Sequence, residues 1–217
     1  MSCACRALFL VLTLCTAQAA AAPPPAPLLR IESGRHTAFI HALAVDEASG
    51  RVYSASEDKT VREWRIADGR LLDVFRVPAG PRAEGQLYAL ALTPDGRTLA
   101  TAGWTCWDIE GRACIYLFDT TTGELIGRIS GLPEVVSTLK FSPDGEFLAA
   151  GLMGAQGLRV IRMRDHAIVA TDAAYRDKLL ELDFSAQGLL AASGLDGFVR
   201  LLESWEHHCS GRFRVDF

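Results

Sequence analysis

An all-β repeat fold is predicted for this chain by the spacing of its turn glycines, the alternation of its apolar residues and the lack of any extended helical periodicity. Four times an alternating segment runs into a small-residue turn, at Ala48-Ser49-Gly50, Pro94-Asp95-Gly96, Pro143-Asp144-Gly145 and Ala186-Gln187-Gly188. The four glycines are 46, 49 and 43 residues apart, close to the period of a four-stranded propeller blade. Single-face alternation at this spacing points to antiparallel sheets and excludes a parallel α/β fold.

Each unit reads the same way once the glycines are superposed. An alternating inner strand comes first, as in HALAVD, YALALTPDG, STLKFSPDG and LELDFSAQG, with Leu90, Leu92, Leu139 and Phe141 directed to one side. A second strand leaves the turn as RVYSAS, RTLATAG, EFLAAG or GLLAAS, small where neighbouring backbones crowd. The third is TVREWRI, CIYLFDT, LRVIRMR or FVRLLES, and a short turn, clearest in ADG and TTG, leads to an outer strand such as RLLDVFRV or ELIGRIS.

These residues resemble the WD-repeat β-propellers, most closely in the first unit, where His36-Thr37-Ala38 precedes the inner strand and SASEDKTVREW follows. The resemblance covers about residues 28 to 203 and implies a structural hydrogen-bond set of His36, Ser54 or Ser56, Asp58 and Trp64. Departures are equally clear. The Trp position is filled in turn by Trp64, Phe118, Ile161 and Leu202, and the Asp position beside it by Arg65, Asp119, Arg162 and Glu203. Only the first unit has the full polar set, although the fourth keeps Asp196 in a tight turn. Apolar packing between blades must hold the others.

The ends fall outside the array. Residues 1–22 have Arg6, an apolar run and small residues, the layout of a cleaved signal peptide, so the protein is expected to be exported, periplasmic or secreted. Residues 23–34 form a Pro-rich lead-in with a possible outer strand, 35–203 the four-blade segment, and 204–217 an atypical tail with no outer strand, which reads as truncated. Arg6 is the one charge in the leader, so without it acidic residues outnumber basic by five. No run of Lys or Arg remains, which argues against a nucleic-acid or anionic-membrane partner. Cys106, Cys114 and Cys209 also remain, and Cys106 and Cys114, flanking a short excursion in the second blade, are the natural disulfide in an exported protein.

No catalytic signature is found, and no cofactor is expected. Asp95 and Asp144 sit in Pro-Asp-Gly turns that explain them without chemistry. His207-His208-Cys209 is the nearest approach to a ligand cluster, but adjacent side chains of an extended segment point to opposite sides, and it reads as a solvated tail. A propeller enzyme, such as a lactonase or a metal- or quinone-dependent oxidoreductase, needs inward ligands from several blades. The inner strands offer His41, Thr93, Ser137, Lys140 and Glu181, a mixture with no obvious ligand set.

Insertions are left to carry function. The second and third strands are joined by SEDK and GLDG in blades 1 and 4, but by WTCWDIEGRAC and LMGAQG in blades 2 and 3. Two Trp residues in a polar loop suggest a partner-binding surface of Trp104, Trp107, Asp108 and Glu110, beside the loop from Leu152 to Gly157. The expected function is a non-catalytic scaffold that binds a protein partner, with self-association through open edge strands. The style is similar to propeller regions that bacterial exported proteins join to a caspase-like peptidase domain, which would make this chain the recognition part of a truncated peptidase.

Overall fold

Alternation gives every strand two faces, and the turn glycines fold each inner strand back on the next. Gly50, Gly96, Gly145 and Gly188 have φ of 68°, 71°, 74° and 86°, the left-handed region in which a side chain is strained. The computed structural model describes residues 33–202. The expected leader and most of the Pro-rich lead-in, together with the tail that carries His207, His208 and Cys209, lie outside the described residues.

Four antiparallel sheets follow in chain order, each with its strands in sequence order. Blade 1 comprises β1 (Ile40–Asp46), β2 (Arg51–Ser56), β3 (Thr60–Arg65) and β4 (Leu71–Arg76). Blade 2 comprises β5 (Gln86–Leu92), β6 (Thr98–Trp104), β7 (Ala113–Asp119) and β8 (Leu125–Leu132), with a short helix α1 (Trp107–Glu110) between β6 and β7. Blade 3 comprises β9 (Val136–Phe141), β10 (Phe147–Leu152), β11 (Leu158–Arg162) and β12 (Ala167–Asp172), with a 3-10 turn at Gly154–Gln156. Blade 4 has β13 (Leu179–Phe184), β14 (Leu190–Gly194) and β15 (Val199–Leu202) among the described residues.

The innermost strands β1, β5, β9 and β13 neighbour one another in series, as blades of a propeller do. Antiparallel order then puts the lead-in to each inner strand at the same end as the link between its second and third strands. Each inner strand also slips register near its start, at Ile40/Ala42, Leu87/Ala89 and Leu179/Glu181, and opposite Gly151/Leu152 in blade 3. Such bulges bend a strand where the loops gather.

Apolar seams hold the blades together. Tyr53, Val61 and Phe75 meet Leu87, Leu90, Leu99, Tyr116 and Phe118 between blades 1 and 2. Between blades 2 and 3, Ala89, Ala91, Ala100 and Ala102 make room for Leu139, Leu148, Leu152 and Ile161. Leu158, Val160, Leu179, Leu190 and Leu202 form the third seam. Three of the residues in the Trp position, Phe118, Ile161 and Leu202, thus fill successive seams. On the opposite face of blade 1, Leu43 and Val45 are 66% and 61% exposed.

The position after the Trp slot is also reworked. Arg65 forms a two-pronged pair with Asp68 in the next turn, and Arg162 repeats it with Asp165, which it holds down at about 2. In blade 2 Asp119 instead accepts the N–H groups of Thr121 and Thr122. Both solutions close the turn into the outer strand.

Close backbone approach accounts for Gly103 at the end of β6. A Cβ there would lie 2.2 Å from Gln86 O and 2.8 Å from Tyr88 N, both main-chain atoms that cannot swing aside. Gly103→Ala is expected to lower stability by about 1–3 kcal/mol in chemical unfolding, the usual cost of overpacking. A variant as stable as the parent would show that this bulge yields freely.

Candidate functional site

The face that carries the lead-ins is built around buried polar ties. In blade 1 His36 comes from the lead-in and sits between a turn carboxylate and a strand hydroxyl, Nδ1 2.8 Å from Asp58 Oδ2 and Nε2 2.7 Å from Ser54 Oγ. Trp64 Nε1–H donates to the same Ser54 Oγ at 2.8 Å. Ser56 lies outside this chain of contacts: its hydroxyl donates to Ala38 O and accepts Asp58 N–H. Thr60 Oγ1 and Thr37 N also donate to the Asp58 carboxylate.

Burial alone would raise the Asp58 carboxyl, but the bonds from Thr60, His36 and Thr37 prevail and hold it below the ordinary carboxylate range. A depressed folded-state pKa stabilises the fold above the unfolded value, about 3.9, and that stability is lost as pH falls through the folded value. Thermal midpoints measured from pH 6 downward are expected to drop below about pH 4. Asp58→Asn should start lower and show a shallower drop, and equal slopes for the two proteins would exclude this role.

Blade 2 ties its lead-in differently. Glu84, 1% exposed, accepts Cys106 N–H at 2.6 Å and Asp108 N–H at 3.0 Å, and so satisfies the free N–H groups at the start of α1. Lys59 of the preceding blade donates to Gly80 O and Arg82 O of the same lead-in. In blade 4 Asp196 pairs with Arg200 at 2.6 Å and accepts the N–H groups of Arg176 and Phe198. Arg200 also donates to Ala174 O and lies 4.1 Å over the ring of Tyr175. Sequence reasoning missed Glu84 and Lys59, whose partners are backbone groups, and Arg200, whose partners come from a lead-in and a turn that the strand pattern does not mark.

Within the second-blade insertion the structure joins Cys106 to Cys114, with Cα atoms 5.6 Å apart and both side chains buried. Trp104 at the end of β6 and Trp107 at the start of α1 are half-buried, their ring centroids 5.7 Å apart. Trp107 packs against the seam between blades 2 and 3, so part of its ring serves the core. Asp108 is exposed, and Glu110 pairs with Arg128 at 2.8 Å. The insertion therefore rests on the blade through Trp107, Glu110 and Glu84.

Removing the Glu84 carboxylate leaves the Cys106 and Asp108 N–H groups without their acceptor. Glu84→Ala is expected to destabilise the protein by about 1–3 kcal/mol, with the earliest loss of amide protection in residues 104–113. Uniform loss of protection across blade 2 would contradict this local role.

The other candidates are occupied locally. Asp95 accepts from Thr93 Oγ1 and Arg97 N, and Asp144 from Ser142 Oγ and Glu146 N, which keeps both acids below the ordinary range within their turns. On the inner strands, His41 Nε2 meets Glu57 Oε1 at 2.7 Å, Ser137 Oγ donates to Leu179 O, and Lys140 pairs with Asp183 across blades 3 and 4. His41, Ser137 and Glu181 line one small cavity with Tyr88, but no group of three or more His, Cys, Asp or Glu residues suited to a metal occurs among the described residues. No described helix is long and apolar enough to cross a membrane.

Two stretches, residues 29–65 and 123–157, match the family described as WD domain, G-beta repeat. The U3 snoRNP-associated protein-like EMB2271 of Arabidopsis thaliana is 23% identical over 182 residues, covering 77% of this chain and 36% of the relative. Among solved structures, the crystal structure of RRP9 WD40 repeats and the structure of U3-55K each superpose with a TM-score of 0.65 at 21% identity. Each covers 77% of this chain, which in turn spans 48% and 49% of those chains. Two stretches of the chain thus match the WD40 repeat, and its fold is that of a WD-repeat β-propeller, with four blades among the described residues.

These relatives correct the expected location. A protein associated with the U3 small nucleolar ribonucleoprotein is an intracellular component, and this likeness overturns an exported, periplasmic or secreted assignment. None of the three names mentions a peptidase.

Proposed function

We propose that the chain is a non-catalytic scaffold that holds a protein partner on the face carrying the two inserted links. The observation that carries this reading is the second-blade insertion, a short helix fixed at its start by Glu84, with the half-buried Trp104 ring beside exposed Asp108. Rigidly held aromatic residues next to polar ones are the usual anchors of a protein interface. The likeness to U3 snoRNP-associated proteins supports a place in a ribonucleoprotein assembly. Net charge of −4 and the lack of a basic run favour contact through protein rather than RNA. The exposed apolar face of β1 supports self-association of the isolated chain.

Cross-linking of the full chain in its source cells tests the reading. Trp104→Ala is expected to weaken the recovered interaction by about 2 kcal/mol, roughly thirtyfold, while the thermal midpoint stays near that of the parent. Trp107→Ala should lower the midpoint because its ring packs on the seam. Undiminished partner recovery with Trp104→Ala would overturn this assignment.

A further inference from the structure

Two residues before the Trp position, the third strands carry Arg62, Tyr116, Arg159 and Arg200. In blades 1 and 4 an Asp stands four residues before the Arg and meets it. Asp58 lies 4.0 Å from Arg62, and Asp196 lies 2.6 Å from Arg200, with all four side chains buried. Four residues before Arg159 the chain has Ala155. Arg159 is nevertheless only 9% exposed. Its Nη1 donates to Gln156 O at 2.8 Å and Leu158 O at 2.9 Å, and among the described residues no carboxylate lies within 4.0 Å. Burial pulls this guanidinium below its ordinary pKa, whereas the Asp196 carboxylate raises that of Arg200. Arg159 is thus a buried cation without a carboxylate partner among the described residues, and Ala155 brings only a methyl group to the position four residues before it.

Its side chain lies at the end of blade 3 that carries the inserted link. Strand alternation puts Arg159 on the same side of β11 as Ile161, which packs in the seam with blade 2. Above it is the exposed Gly154–Gln156 turn, whose carbonyl it holds. Trp107 of the neighbouring insertion packs on this same seam.

We propose that Arg159 is an anchor for an acidic side chain of a protein partner, which takes the place that Asp58 and Asp196 hold in their own blades. The proposal rests on the scaffold reading above and names the chemistry of its partner. A carboxylate matches the planar fork of a guanidinium with two parallel hydrogen bonds, and pairing relieves the cost of a buried lone charge. Nucleic acid is disfavoured because a phosphate chain is held by several cations together, and no run of Lys or Arg adjoins Arg159 in the sequence.

Four proteins test this: the full chain, Ala155→Asp, Arg159→Met and the variant that carries both. Ala155→Asp supplies the missing carboxylate from within and is expected to raise the thermal midpoint by about 2–4 °C, a gain absent when Arg159→Met is added. Hexaglutamate at low salt is expected to bind the parent chain at least tenfold more tightly than either single variant, and hexauridylate to bind none of them. Should Arg159→Met fail to fold, the comparison of the parent with Ala155→Asp is sufficient. No midpoint gain from Ala155→Asp, equal hexaglutamate binding to parent and Ala155→Asp, or hexauridylate binding that depends on Arg159 would each overturn the proposal. Recovery of a Trp104-dependent partner by Ala155→Asp as fully as by the parent would leave the scaffold standing and remove this anchor.

Discussion

A sheet whose strands are apolar on both faces is stable only when each face meets another sheet, and this requirement shapes the whole chain. The third strand decides how each seam is filled. Phe118, Ile161 and Leu202 stand in the place where the family has Trp, and each is buried against the preceding blade. Aromatic rings of blade 1 face Phe118, and the alanines of blade 2 face Ile161. Trp64, on the face of blade 1 turned away from these seams, keeps the large side chain and uses its indole N–H in a polar network instead.

The lead-in of each blade must still be fixed to the sheet, and the chain does this with different chemistry each time. Blade 1 uses an imidazole between a carboxylate and a hydroxyl, blade 2 a carboxylate on two helical N–H groups, and blade 4 a guanidinium beneath an aromatic ring. Blade 3 relies on buried Leu132 and Val135. One geometric demand, tethering a loop to the link between two strands, is thus met by apolar packing or by a satisfied buried polar group.

The blades were legible in the sequence because a glycine with positive φ and a two-residue alternation both leave a mark at every repeat. The polar set of blade 1 was legible through its resemblance to a known pattern, apart from the choice between Ser54 and Ser56, which depends on the direction of a single hydroxyl. Glu84 left no such mark. It lies in an irregular segment, and its partners are main-chain N–H groups that any residue provides. The half-burial of Trp107 was equally hidden, since it depends on how a loop from blade 2 settles on side chains of blade 3. The expected export rested wholly on residues 1–22, whose composition carries no information about the relatives of the remaining chain.

The Glu84 tie also sets an order of assembly. Its bonds to Cys106 and Asp108 span 22 and 24 residues, so α1 gains its acceptor only after β5 and β6 have paired and returned the chain to the lead-in. A four-residue helix is too short to persist by itself in water. The insertion is therefore a late-forming part of blade 2, and the local opening that exposes it works against the Glu84 carboxylate, the packing of Trp107 and the Glu110–Arg128 pair rather than against the cohesion of the sheet.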